Sequence, residues 1–186
     1  LLLLLVTLAW GALEFGQFSA GLDARKGAVK VGELSGRIAI GSSLIAANVV
    51  LFLAPHIVPA AAIRPGVIAF AAGMVILLAG LVLRGWSFTA LGEYFTFTVM
   101  VSSDQPVVAK GPYRVLRHPS YTGLLLAFAG VGLASANWVG LAGMALLPLT
   151  AILWRIHVEE GALMSTLGDR YRCYAAQHKR LVPLVW

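Results

Sequence analysis

Arg155 and Glu159, four residues apart in Arg155-Ile156-His157-Val158-Glu159-Glu160, stand at the end of an apolar stretch and have the types and spacing for chemistry. On a helix they share one face. Ionisable groups at the end of a membrane helix are expensive unless paired or useful. The plain alternative is an interfacial ion pair that marks the helix end. A second polar cluster precedes this one, in Gly111-Pro112-Tyr113-Arg114-Val115-Leu116-Arg117-His118-Pro119-Ser120-Tyr121-Thr122-Gly123. Pro119 biases His118 toward extended backbone, so the segment presents amides and carbonyls at fixed positions. Tyr113 and Tyr121 offer ring faces to an adenine-like ring or a sulfonium cation. The bland counterpart is a pair of interfacial belt tyrosines with Arg117 on a lipid phosphate. His157 and Glu160 lie three apart, but no second His-x-x-x-His or cysteine partner accompanies them, so no metal site is expected. Gly-x-Gly-x-x-Gly, Walker and Gly-x-Ser-x-Gly signatures are absent, which argues against a soluble Rossmann-type nucleotide site.

The elements that would position these groups are membrane helices. Of 186 residues, 59% are hydrophobic and 12% charged, about half the charged share of a soluble domain. Five apolar runs, near 1–20, 38–55, 66–83, 122–134 and 138–154, approach the roughly 20 residues a spanning helix needs. The expectation is an all-α integral membrane protein with about five transmembrane helices and one domain over 1–186. The last two helices would form a tight hairpin turned at Ser135-Ala136-Asn137-Trp138. The chain does not open on Met, so an N-terminal piece is expected to be missing, and Leu1–Leu13 is read as a transmembrane helix rather than a signal peptide. Glu14 within it receives no role.

Charge sets the expected orientation. Arg25, Lys26, Lys30 and Arg37 fall between the first two runs. Arg84, Lys110, Arg114 and Arg117 fall between the third and fourth, and Arg155, Arg170, Arg172, Lys179 and Arg180 follow the fifth. Arg64 alone falls on the other side. The positive-inside rule places the basic loops and tail in the cytosol, in a bacterial inner membrane. The net charge of +6 then reads as topology plus attraction to anionic lipid. No basic stripe with interleaved aromatics points to nucleic acid, and no obligate protein partner is evident. The lone Cys173 excludes an intramolecular disulfide.

Gly73, Gly80, Gly123, Ala127, Gly130, Gly140 and Gly143 have the spacing of close helix packing. Pro148 is expected to bend its helix. The long connection from Gly92 to Tyr121 contains the β-prone Tyr94-Phe95-Thr96-Phe97-Thr98-Val99 and a turn-like Ser102-Ser103-Asp104. Val158–Lys179 reads as a helix leaving the membrane, broken near Gly168-Asp169.

Gly111-Pro112-Tyr113, Arg117-His118-Pro119-Ser120-Tyr121-x-Gly123, Arg155-x-x-x-Glu159-Glu160 and Leu167-Gly168-x-x-Tyr171-x-x-Tyr174, in that order, resemble the isoprenylcysteine carboxyl methyltransferase family and the related phospholipid methyltransferases. The resemblance covers roughly Leu91 to Val185, so 91–186 is the family-like catalytic part and 1–90 supplies three helices. It implies a cytosolic S-adenosylmethionine site formed by the loop and the C-terminal helix. Gln105, Pro106, Val107, Val108, Tyr113, His118, Pro119, Ser120 and Tyr121 would line the cofactor. Arg155 would sit beside the substrate carboxylate, and Glu159 would contact the cofactor or hold Arg155. Met100 falls where eukaryotic members have a polar cofactor contact, and His157-Val158 replaces further acids of those members. The implied acceptor is a lipophilic small molecule or lipidated substrate met in membrane lipid. Alternatives open at this point are a phospholipid amine N-methyltransferase, an NADPH-dependent sterol-type reductase and a non-catalytic scaffold. Ser120 and Leu124 stand where the reductases carry Asn and Asp, which favours methyl transfer.

Overall fold

The computed structural model describes residues 29–31, 33–94, 99–101 and 105–183. The expected span at 1–20, Glu14, most of the β-prone run and the Ser102-Ser103-Asp104 turn lie outside the described residues. Among the described residues five α-helices follow one another: α1 (Glu33–Ile57), α2 (Gly66–Leu91), α3 (Pro119–Ala134), α4 (Trp138–Leu167) and α5 (Asp169–Gln177). α2 and α4 run their full lengths, and α1 from Ile38, as helices long and apolar enough to cross a membrane. The protein is an integral membrane protein. Each of the four inner apolar runs falls within one helix, and two helices extend well past their runs. α2 continues seven residues beyond Arg84, and α4 continues twelve beyond Arg155. In both cases the arginine turns inward instead of ending the helix: Arg84 is 6% exposed and Arg155 9%.

α3 is the exception. Its 16 residues rise only about 24 Å, short of the roughly 30 Å hydrocarbon core. The expected hairpin explains how it ends. Asn137 caps α4 by accepting from the amides of Val139 and Gly140. Its Nδ2 donates to the Val58 carbonyl at 3.2 Å, and the Ile63 amide donates to the Ala136 carbonyl at 2.7 Å. The α3–α4 turn and the α1–α2 connection are therefore stitched together, and one buried side chain satisfies three backbone groups at a turn where a bilayer would leave them unpaired.

α3 lies between α2 and α4 and runs antiparallel to both, and α4 packs in turn on α1. Glycines allow the closest of these approaches. A Cβ on Gly80 would lie 2.6 Å from the Gly123 carbonyl and 2.6 Å from the Ala127 amide. Gly73 faces Gly130 in the same way one repeat along. Such backbone contact is the packing available to helices when lipid is as apolar as leucine. Ala47, Met74, Leu77, Ala127, Phe128, Val131 and Met144 fill the centre. Pro148 is buried within α4, which runs unbroken through it.

Two short pieces complete the site end. Val29–Val31 (β1) and Val99–Val101 (β2) pair antiparallel, Lys30 opposite Met100, which adds a ribbon to the expected helical fold. The break at Gly168-Asp169 is present: Gly168 has φ of 57°, the left-handed region open to glycine, and α5 turns away from α4 there. After α5 the chain returns. Leu116 and Lys179 form a parallel bridge, and the amides of Arg117 and His118 donate to the carbonyls of Lys179 and Arg180.

Candidate active site

Helix length places the chemistry. Arg155 lies seventeen residues into α4, about 26 Å from its start, so it sits near one face of the hydrocarbon core. Arg155, Glu159 and Glu160 follow one another along its last turns, and the first turn of α3 faces them. Pro119 opens α3 at a position where its missing N–H leaves nothing unsatisfied, and Tyr121 follows two residues on.

The central contact is a relay through one oxygen. Arg155 Nε donates to the Tyr121 hydroxyl at 2.7 Å, and that hydroxyl donates to Glu159 Oε2 at 2.8 Å. A second cluster centres on Glu160, which is 3% exposed. Arg117 Nη1 lies 2.8 Å from its Oε1, and His118 Nε2 donates to the same oxygen at 3.1 Å. Arg180 reaches Oε2 from the tail. A buried carboxylate is stable only when paired and hydrogen-bonded, and Glu160 has partners from the loop, α3's cap and the tail. The His118 ring also stacks on Tyr121, centroids 5.7 Å apart.

The walls are held in several ways. Arg84 Nη1 donates to Ser120 Oγ at 2.8 Å and to the Ser120 carbonyl at 3.1 Å, while its guanidinium lies over the Phe88 ring. Tyr174 of α5 donates to the Tyr113 carbonyl at 2.8 Å, which docks α5 on the loop. Burial raises the Tyr113, Tyr171 and Tyr174 hydroxyls above their ordinary range, and the charge of Glu159 adds to the shift at Tyr113. These phenols stay protonated, and that of Tyr174 acts as a donor. Leu181 packs with Ile152 and Ile156, against Tyr121 and Leu124.

The expected site residues fall in three groups. Tyr121, Arg155 and Glu159 come together directly. His118, Pro119 and Ser120 are buried beside them, with His118 engaged by Glu160 and Ser120 by Arg84. Gln105, Pro106, Val107 and Val108 lie in a stretch without regular secondary structure, in which Val107 packs on the cluster of Ala162, Leu167, Tyr171 and Tyr174. Met100 lies in β2. Sequence reasoning left out Glu160's role as a hub, its partners Arg117 and Arg180, and the Arg84 clamp. The last had a visible signal: an arginine in an apolar helix is a functional or packing group by default.

A family model described as phospholipid methyltransferase matches residues 68–170. The chain is 29% identical over 115 residues to protein-S-isoprenylcysteine O-methyltransferase A of Arabidopsis thaliana, covering 61% of this chain and 58% of that protein. It is 30% identical over 115 residues to the Tribolium castaneum protein-S-isoprenylcysteine O-methyltransferase, covering 61% and 41%. Among solved structures, the eukaryotic intramembrane Ras methyltransferase ICMT matches with a TM-score of 0.66 and 26% identity, over 78% of this chain and 52% of that one. The chain spans about half the length of the relatives it matches.

Proposed function

The chain belongs to the phospholipid methyltransferase family, and from that premise we propose that it is an S-adenosylmethionine-dependent membrane methyltransferase acting on the carboxylate of a prenylcysteine-like or other lipid-like acceptor. The observation that carries this reading is the part-buried Arg155–Tyr121–Glu159 relay toward the end of a membrane helix. The catalytic part is the unit from 91 to 186, carried on the preceding helices. The site end holds most of the described Lys and Arg residues, with Arg64 at the opposite end, so it faces the cytosol of a bacterial inner membrane.

The donor set suits the cofactor. Glu159 is a half-buried carboxylate with one hydrogen bond on Oε2, suited to facing a cationic group. Arg117 Nε is buried without a partner, a donor suited to an acceptor group. Gln105 to Val108, Tyr113 and His118 to Tyr121 would form the rest of the wall. When bound, S-adenosylmethionine supplies an electrophilic methyl group on sulfur. The chain's own residues then have three tasks. Arg155 holds the acceptor carboxylate, which is already ionised near pH 7 and needs no strong base. Buried aromatic and aliphatic side chains exclude water. The α3 and α4 ends fix the approach of the reacting groups.

A lipid amine acceptor would need a base to remove its proton. Glu160 is committed to two arginines and a histidine, and His157 is exposed. These commitments favour the carboxylate reading over the amine one.

The test is methyl transfer in proteoliposomes from labelled S-adenosylmethionine to a prenylcysteine, a fatty acid and phosphatidylethanolamine. Transfer to a carboxylate acceptor is expected, with Arg155→Lys lowering turnover by about 100-fold or more while donor affinity changes little. Full turnover in that variant, or binding of NADPH in place of S-adenosylhomocysteine, would overturn the reading.

A further inference from the structure

We infer that Tyr121 is a positioning residue for Arg155, its hydroxyl setting the plane in which the guanidinium meets an acceptor carboxylate; this rests on the methyltransferase reading above. The argument starts on α4. Arg155 and Glu159 are one turn apart on one face, where a guanidinium and a carboxylate attract each other directly. A guanidinium that simply folded onto Glu159 would turn its fork toward the helix's own acid. The Tyr121 hydroxyl enters from α3 and stands between them, accepting from Arg155 Nε at 2.7 Å and donating to Glu159 Oε2 at 2.8 Å.

A phenol has one hydrogen to give. With that hydrogen on Glu159, the oxygen lone pair is left for Nε, and the direction of both bonds is fixed. Nε lies in the plane of the guanidinium, so holding it fixes the orientation of the whole planar fork. The tyrosine is itself held firmly. Its ring stacks on His118, which Glu160 and the Arg180 carbonyl hold in turn. Ile152, Ile156 and Leu181 pack around it. Arg155 is therefore aimed by a side chain whose own rotation is blocked on both sides. The expected place of Tyr121 in the cofactor wall concerned its ring; the hydroxyl serves Arg155.

The deciding experiment compares binding of a prenylcysteine acid and its methyl ester, without methyl donor, to wild type, Tyr121→Phe and Arg155→Lys. Phenylalanine keeps the ring and its packing. The inference expects Tyr121→Phe to weaken acid binding about tenfold or more, leave ester binding unchanged, and keep S-adenosylhomocysteine affinity within about twofold. In the Arg155→Lys background the same change should add little, since coupled residues are non-additive. Unchanged acid binding, equal effects on acid and ester, full additivity with Arg155→Lys, or a loss confined to S-adenosylhomocysteine would each overturn it. The underlying reading fails separately, by wild-type protein that transfers no methyl to any carboxylate acceptor.

Discussion

Arg180 grips Glu160 with two nitrogens, Nε at 3.0 Å and Nη2 at 2.9 Å, both on Oε2. The other carboxylate oxygen serves Arg117 and His118. One acid on α4 thus ties together the loop, the start of α3 and the tail.

Glu160→Gln should be the most damaging neutral-for-charge exchange at this end. It leaves the nearly buried Arg117 and His118 without their anion, and breaking a buried pair this way costs about 3–5 kcal/mol. Arg180 has a side chain 34% exposed, so Arg180→Ala should cost only about 1 kcal/mol. Thermal unfolding in detergent should show that order, and equal midpoints for the two variants would contradict the hub.

Gly80 and Gly85 lie on the same helix and should respond oppositely to alanine. At Gly80 the new Cβ meets two backbone atoms at 2.6 Å, and overpacking of this kind costs about 1–3 kcal/mol. At Gly85 nothing lies within 4 Å, so the gain in helix propensity, up to about 1 kcal/mol, should appear as a higher melting midpoint. Equal tolerance at both sites would mean that α2 and α3 do not meet at Gly80.

The docking of α5 should weaken in alkali. Burial raises the Tyr171 and Tyr174 hydroxyls, so the unfolded chain loses these protons first, near its ordinary value of about 10. The stability they contribute is fully present below that pH and falls as pH rises above it. Absorbance of tyrosinate and melting midpoints between about pH 8 and 11 would follow this. Tyr174→Phe should lose about 1 kcal/mol at neutral pH and show a shallower alkaline decline; a decline as steep as wild type would assign the effect elsewhere.

Periodic and local features were legible from the sequence, and long-range polar pairings were not. The apolar runs, the Ser135–Trp138 turn, the Gly168 break and the shared face of Arg155 and Glu159 each depend on residues within a few positions, where spacing alone carries the information. The apolar runs stop at Arg84 and Arg155 while their helices continue, because a charge in an apolar run reads as a boundary until its partner is known. Arg84's partner Ser120 is 36 positions away, and Glu160's partner His118 is 42 away. Neither pairing follows any helical or strand repeat. The short α3 was seen as an apolar run, but the way its turn is pinned depends on Asn137 reaching Val58 across the α1–α2 connection.

Residues 179–181 leave the ribosome after every membrane helix among the described residues. Yet Lys179 and Arg180 supply the carbonyls that hold Arg117 and His118, and Leu181 supplies the one that takes the Thr122 hydroxyl. Four apolar helices can therefore enter the bilayer before the polar cluster has its last wall. A nascent chain halted ahead of Lys179 would be a membrane-embedded bundle with an unfinished site end, so translation delivers the scaffold first and the closed polar cluster only with these late residues.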